Sequence, residues 1–397
     1  MPADRSLNCF AVAAPGLEPL VAGELHALQA LCPLELADPE PGGVGFSTDR
    51  RGLYAANLHL RIASRVLVRV GTFHAAAFHE FERHAARLPW TEFTAPGQPV
   101  AFRVTSKKSR LYHQDAVAER LMAAAGTPAS PAAGQAPQEF VVRLFRDECT
   151  VSADASGELL HRRGYRLAAG KAPLRETLAA AMLAGSGWTG AAPLVDPMCG
   201  AGTVPIEAAL LARRIPPGLH RGFAFQRWPG FDPVVWEEVL TAARERIMPR
   251  AGVPIAGSDR DVGAVGAAAA NAERAGVAGD IVWRRAAISA IEPPTGPGWV
   301  VTNPPYGVRV GDRQRLRNLF AQLGHVLRRR CAGWEVAFLS AHAELERQTA
   351  LALGTVFTAE NGGIRVRLVR GRVPAGGADE TRGPGAPGPR GLAPGPV

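Results

Sequence analysis

Three observations predict an α/β architecture. In the C-terminal half, apolar runs of strand length alternate with helical patterns. The first of these runs ends in a glycine turn that opens a helix, and the last two are joined through Asn361-Gly362. Apolar strands separated by helices mean a mostly parallel, doubly wound sheet covered on both faces. Asn-Gly between strand-like runs adds an antiparallel hairpin at its edge. Shorter, mixed strand and helix signals precede this sheet and predict a separate α+β part. The 397 residues allow two or three domains, at roughly 100–200 residues each. The predicted divisions are 1–165, 166–373 and a Pro/Gly-rich tail, 374–397, too poor in bulky apolar residues to fold.

In the first part, strands are predicted at 8–14, 44–47, 64–73 and 100–105, with a closing pair at 140–145 and 148–153. Helices are predicted at 17–31, where Leu20, Leu25 and Leu28 share one side, and at 52–60 and 114–125; 126–138 reads as a flexible loop. In the second part the apolar runs lie at 193–197, 254–258, 280–285, 299–302 and 334–340, with helical patterns at 203–213 and 262–275. The segment 293–298 is a short Pro/Gly connection, and the final pair spans 355–358 and 364–369.

Composition narrows the classes of function. No run of about 18 apolar residues exists to span a membrane. The N-terminus lacks the charged-then-apolar layout of a signal peptide, so a cytoplasmic location is expected. Five scattered cysteines without a CxxC pair, and histidines without HExxH or paired-ligand spacing, predict neither a disulfide framework nor a metal site. The net charge of +9 fits a polyanionic partner. Residues 1–165 carry 17 basic and 17 acidic side chains, whereas 166–397 carry 28 and 19, so the excess belongs to the second part. Arginine supplies 42 of the 45 basic residues, a bias that a GC-rich genome also produces.

The glycine turn reads Asp196-Pro197-Met198-Cys199-Gly200-Ala201-Gly202-Thr203. Glycines serve where backbone must approach a ligand and enter a helix. The dinucleotide fingerprint fails at Pro205, and no Gly-Lys-Ser/Thr follows for a phosphate loop. Asp196 would repel a pyrophosphate but suits a cationic amine, so the turn points to an amino-acid-bearing cofactor; a plain tight turn could use the same residues. Asp259, at the tip of the second strand, can accept the hydroxyls of a ribose, with Arg260 beside it; Asp261 suits the N-cap of the next helix.

The fourth strand ends in Thr302-Asn303-Pro304-Pro305-Tyr306-Gly307. Two prolines withhold N–H donors and leave carbonyls outward. The Asn303 side-chain oxygen and the Pro304 carbonyl can then accept the two hydrogens of a planar exocyclic amine, while Tyr306 offers a face for stacking. Such an amine is a poor nucleophile, and two acceptors that draw it towards tetrahedral lower the barrier by positioning and electrostatics. A simple Pro-rich turn is the plainer alternative.

Together, 196–203 and 303–307 resemble the class I S-adenosylmethionine-dependent methyltransferases that act on planar amines. Further stretches are similar to the bacterial large-subunit rRNA guanine-N2-methyltransferases: Leu160-His161-Arg162-Arg163-Gly164-Tyr165-Arg166, Ala172-Pro173-Leu174-Arg175-Glu176, and Gly222-Phe223-Ala224-Phe225 with Trp228, Phe231 and Asp232. The resemblance, over about 8–370, implies a Rossmann-like catalytic fold preceded by a ferredoxin-like piece and a THUMP domain whose core is 103–121. It implies S-adenosyl-L-methionine as cofactor and RNA as partner, either 23S rRNA or a ribosomal assembly intermediate. Some members carry a second methyltransferase fused at the C-terminus; the single one here implies the N2-guanine activity alone. The family places an acid after the third strand to meet the adenine amine. Here 284–289 has none, so backbone groups or Ser289 must serve. An insertion at about 215–253 separates the first two strands of the second part and is a candidate substrate contact.

Candidate RNA contacts are Lys107, Lys108 and Arg110 beside Tyr112, and the charges of the junction, Arg162, Arg163, Arg166, Lys171 and Arg175. The triplet Arg328-Arg329-Arg330 reads instead as a complement to a helix dipole, and Cys199 as a packing residue. The reading is methyl transfer to a guanosine N2 with Asn303, Pro304, Pro305 and Tyr306 as the reacting site. The alternatives are a tRNA guanine-N2 enzyme, a protein-glutamine or DNA-adenine methyltransferase, and a non-catalytic RNA-binding assembly factor. The oligomeric state is not legible in the sequence.

Overall fold

The computed structural model describes residues 6–126, 136–166, 174–306 and 313–375. Most of the predicted 126–138 loop, Lys171, Gly307 and nearly all of the tail lie outside the described residues. The first part runs β1 (Leu7–Val12), α1 (Glu18–Leu28), β2 (Leu34–Glu40), β3 (Gly43–Thr48), α2 (Arg50–His59), β4 (Arg65–His74), α3 (Phe78–Ala85), β5 (Val100–Lys107), α4 (Gln114–Ala124), β6 (Gln138–Phe145) and β7 (Glu148–Asp154). Its seven strands form one sheet in the order β2-β3-β1-β4-β7-β6-β5. Among the described residues only β5 and β6 of this sheet pair in parallel; the other neighbours are antiparallel. β4 stitches the sheet together, pairing with β1 through Arg65 to Val68 and with β7 from Leu67 to His74.

The second part continues with α5 (Glu176–Ser186), β8 (Leu194–Asp196), α6 (Thr203–Ala212), α7 (Pro233–Glu245), β9 (Ile255–Asp259), α8 (Val262–Arg274), β10 (Ile281–Arg285), β11 (Trp299–Thr302), α9 (Arg313–Arg330), β12 (Glu335–Ser340), α10 (Ala343–Gln348), β13 (Gly354–Asn361) and β14 (Ile364–Arg372). The strand order is β10-β9-β8-β11-β12-β14-β13, with β8 to β12 parallel and the last two pairings antiparallel. The chain winds from β8 out to β10 and then crosses back to β11. The reversal lies between β8 and β11, and a crevice beyond their carboxyl ends is where open α/β sheets place ligands.

Several elements were not evident in the sequence, for physical reasons. α5 is buried nearly all round, so it shows no amphipathic stripe. β2 contains Pro39, tolerated because the strand lies at the sheet edge with a bulge between Leu36 and Pro39. The closing turn is Gly362-Gly363 (φ 58° and 80°), one residue later than expected: Asn361 still pairs with Ile364, and both turn residues need left-handed backbone. Gln138, expected in a loop, begins β6 and is fully buried.

The expectation that 215–253 contacts substrate meets a different arrangement at its aromatic stretch, which packs this segment of the second part against the first. Phe223, Phe225 and Trp228 are buried. Phe225 stacks on Tyr54 of α2 at 4.5 Å between ring centres, and Trp236 of α7 meets the same tyrosine edge-on at 5.9 Å. Asp232 caps α7 through the Val234 and Val235 amides, and its own N–H donates to the Tyr54 hydroxyl at 3.0 Å. Trp228 Nε1 donates to Gln138 Oε1 at 2.8 Å. One buried apolar cluster consequently runs through both parts.

Candidate active site

β8 delivers Asp196 to the crevice. Its carboxylate is buried and accepts the Thr302 hydroxyl at 2.6 Å and the Met198 N–H at 3.1 Å. Burial pushes its pKa up to about 7, against these two bonds, which favour the charged form. Thr302 is the last residue of β11, so a single hydrogen bond joins the two strand ends on which the predicted cofactor and amine sites lie.

The turn after Asp196 is stitched to β9: the Cys199 N–H donates to Ser258 O at 3.0 Å, and the Gly200 N–H to Asp259 Oδ2 at 3.1 Å. Its two glycines serve different ends. Gly202 (φ 83°) is the N-cap of α6, and a Cβ there would stand 2.7 Å from the Trp283 ring and 2.8 Å from Ala268 Cβ. Gly200 (φ 51°) faces open space, with nothing within 4 Å of where its Cβ would lie. The turn thus packs inward on one glycine and presents bare backbone outward on the other, a cradle that fits a cofactor approaching closely. Trp283, which walls the inner side from β10, went unnoticed in the sequence; no local motif marks it.

Asp259 receives main-chain N–H groups on both oxygens, from Gly200 and, at 3.0 Å, from Asp261. Each carboxylate oxygen keeps a lone pair for a hydroxyl. Asp261 caps α8 through the Gly263 and Ala264 amides, as its place in the sequence implied. Arg260 is exposed beside it. On the β10 side, Ser289 is exposed on the short turn Ile288–Ala290, and the Ala286 N–H is taken by Asp259 O at 2.9 Å. Pro197, Met198 and Thr203 complete the turn, Thr203 buried. Cys199 is buried too, and burial raises its thiol pKa above the usual range, as befits packing.

One residue beyond Thr302, the Asn303 side-chain oxygen is buried and has no hydrogen-bond partner among the described residues. A buried acceptor left open in a folded protein calls for an explanation, and an incoming N–H donor is one. Pro304 is buried and Pro305 exposed. Tyr306 departs from expectation: it is only 7% exposed, and its hydroxyl accepts from Asn361 Nδ2 at 2.6 Å. As placed, its ring packs into the core and leaves little face for a base to stack on, because the β13 end holds it there.

The predicted RNA contacts divide. Lys107, Lys108 and Arg110 are exposed at the end of β5, with Tyr112 65% exposed beside them. The neighbouring Arg143 and Arg146, both exposed and flanking Phe145, join this patch; the alternation of β6, which sets Arg143 and Phe145 on one face, was the signal for them. At the junction, Arg162 and Arg175 are exposed. Arg163 corrects the expectation: it is 5% exposed, lies 3.5 Å from Glu207 and donates to the Leu160 and Arg61 carbonyls. Arg166 is likewise engaged, donating to Leu174 O at 2.7 Å and to Glu176 at 3.1 Å. Both brace the junction, because charges this deep must be paired. Arg328 and Arg330 bond carbonyls of neighbouring segments, Thr349 O and Ile291 O, beyond any complement to a helix dipole. Among the described residues no group of three or more His, Cys, Asp or Glu could hold a metal ion.

Known proteins are similar to this chain in sequence and fold. Residues 163–370 match the RMKL-like methyltransferase domain, and residues 8–67 the RlmL ferredoxin-like domain. A putative RNA methyltransferase of Synechocystis sp. is 35% identical over 370 residues, covering 91% of this chain and 95% of its own. The ribosomal RNA large subunit methyltransferase K/L of Methylococcus capsulatus is 37% identical over 407 residues, covering 96% of this chain but 54% of its own length. The chain therefore spans about half of that relative. Among solved structures, SMU.472, a putative methyltransferase complexed with SAH, superposes with a TM-score of 0.83 at 28% identity, covering 95% of this chain and all of its own. The chain belongs to the RMKL-like methyltransferase family of the class I fold, whose cofactor is S-adenosylmethionine, behind a ferredoxin-like N-terminal domain.

Proposed function

We propose that this enzyme methylates the exocyclic N2 of a guanosine in large-subunit ribosomal RNA. The observation that carries the reading is the buried, open Asn303 oxygen at the end of β11, one residue from the bond between Thr302 and Asp196. An acceptor there, with the Pro304 carbonyl as a second, suits an NH₂ group. A ring nitrogen or a hydroxyl offers at most one hydrogen to two such acceptors.

The cofactor supplies an electrophilic methyl group on a sulfonium when bound. The chain's own groups do the rest. Asp196 holds the cationic amine end, the Gly200 backbone allows close approach, and Asp259 accepts the ribose hydroxyls. Asn303 and Pro304 orient the target amine so that its lone pair faces the donor, which is catalysis by positioning and electrostatics. Tyr306 acts from within the core, fixing the Pro-Pro turn through Asn361. We assign residues 1–165 to RNA capture, through the Lys107, Lys108, Arg110 and Tyr112 patch, and 166–373 to catalysis. The name and sequence of the Methylococcus relative support large-subunit rRNA as substrate, and the net charge of +9 fits any RNA.

The test is methyl transfer from labelled S-adenosylmethionine to total RNA and ribosomal particles from a strain lacking the gene, with the nucleoside identified by mass spectrometry. N2-methylguanosine in 23S rRNA is the expected product. The same nucleoside in tRNA would replace the substrate, and methylation of another atom would overturn the role given to Asn303.

A further inference from the structure

Asn271 lies fully buried on α8, the helix whose Ala268 packs against Gly202 of the glycine turn. Its Nδ2 donates to Ala201 O at 2.9 Å, in the middle of that turn. Its Oδ1 accepts from Arg274 Nη2. The orientation of the amide is forced, because arginine can only donate and a carbonyl can only accept. Arg274 is anchored in turn, its Nε donating to Tyr165 O at 2.7 Å. The Tyr165 hydroxyl donates to Glu207 at 3.1 Å, and Glu207 lies 3.5 Å from Arg163. Arg163 donates to Arg61 O at 2.5 Å, and the Arg61 and Ile62 N–H groups close on Glu24 of α1 at 3.0 and 2.9 Å. The turn that faces the cofactor is thereby tied from behind to a buried polar scaffold reaching into the ferredoxin-like domain.

We propose that Asn271, held by Arg274, is a positioning residue for the cofactor: it fixes the Ala201 carbonyl, and so the conformation in which Gly200 presents its backbone, without touching the ligand. The turn needs such a hold. Gly200 and Gly202 both adopt left-handed backbone, and glycine gives up more conformational freedom on ordering than any other residue. Without the tether, the turn must be ordered at the moment of binding, and that cost appears as lost affinity. The proposal rests on the glycine turn being the cofactor site, and is independent of which RNA is the substrate.

The test is calorimetric titration of the full chain with S-adenosylhomocysteine, alongside melting temperature. Asn271→Ala should bind about fivefold more weakly, the usual worth of one hydrogen bond. KM for S-adenosylmethionine should rise in step while kcat moves little. Asn271→Asp keeps the Arg274 partner, and with it the fold, but sets a carboxylate against the Ala201 carbonyl, so it should bind at least as weakly as the alanine variant. Tyr165→Phe removes a buried hydrogen bond from the same scaffold yet leaves the main-chain carbonyl that holds Arg274. It should melt lower with affinity unchanged. If Tyr165→Phe weakens binding as much as Asn271→Ala does, the effect is general loosening and the proposal falls. It falls also if both Asn271 variants bind within twofold of the wild type while Gly200→Ala does not. If Gly200→Ala binds normally as well, the turn is not the cofactor site and that underlying reading is the one that fails.

Discussion

Thr302 and Asn303 are neighbours in the chain, and their polar atoms have opposite fates. The Thr302 hydroxyl is bonded to Asp196, whereas the Asn303 oxygen is buried with no partner among the described residues. Such an acceptor costs stability, roughly 1–3 kcal/mol, and is retained at a site that gains when a donor arrives. Asn303→Ala should therefore lower kcat by about 10²–10³-fold, the scale of losing one aimed hydrogen-bonding group. It should leave S-adenosylhomocysteine affinity within twofold and the melting temperature of the free protein unchanged or higher. Turnover, titration and melting on the same preparation check all three; a large fall in melting temperature would mean that Asn303 is a structural group. The two glycines separate in the same manner. Gly202→Ala combines a strained φ with contact against Trp283 and Ala268, and should destabilise the fold by about 2–4 kcal/mol. Gly200→Ala meets open space, so it should cost the fold only about 1 kcal/mol while placing a methyl group on the face proposed for the cofactor. Denaturant melts against cofactor titrations distinguish the pair.

At the level of elements, sequence reading found what is local and lost what is remote. β8 with its glycine turn, and β11 ahead of Asn-Pro-Pro-Tyr, were legible as elements because each carries its signal within about eight consecutive residues. The role of Arg163 was not: Arg162-Arg163 reads as one charge cluster, and nothing local shows that Arg162 is exposed while Arg163 turns inward to Glu207, on α6. The aromatic signature of the insertion was legible as a mark of kinship, but its physical task, packing on Tyr54, depends on a residue about 170 positions away. The corrected placement of Arg163 has a measurable consequence. Arg163→Met should lower stability by about 3–5 kcal/mol, the scale for leaving a buried charge without its partner, and should leave the salt dependence of RNA binding as it was. Replacing Lys107 and Lys108 by alanine should do the reverse: little change in melting, and a slope of log affinity against log salt shallower by roughly two, one for each phosphate no longer neutralised. A shallower slope in the Arg163 variant would restore it to the RNA surface.

Across the whole molecule, buried acids set the response to pH. Burial pushes Asp196, Glu24 and Glu176 up to about 7 and Asp154 up to about 6. An acid whose pKa is raised by folding holds its proton longer in the folded state, so its contribution to stability falls as pH climbs from its unfolded value, near 4, through its folded one. His59 and His161, pushed down to about 4 by burial and by neighbouring arginines, act with the opposite sign between pH 4 and their unfolded value near 6.5. The two sets partly cancel in the free protein, and its melting temperature alone is a poor reporter. The increment on adding S-adenosylhomocysteine removes what is common to both states and isolates the groups that the ligand touches. Of these four raised acids, Asp196 is the one at the glycine turn, and a cationic amine favours its charged form. Binding should accordingly tighten as pH rises through 7, by up to about tenfold per unit on the acid side of that value. The ligand-induced rise in melting temperature should be larger at pH 8 than at pH 6. Asp196→Asn should bind more weakly at pH 8 and lose most of this pH dependence, since no proton must leave an amide. If the increment is instead larger at pH 6, or if the asparagine variant keeps the wild-type slope, the amine is not held by Asp196.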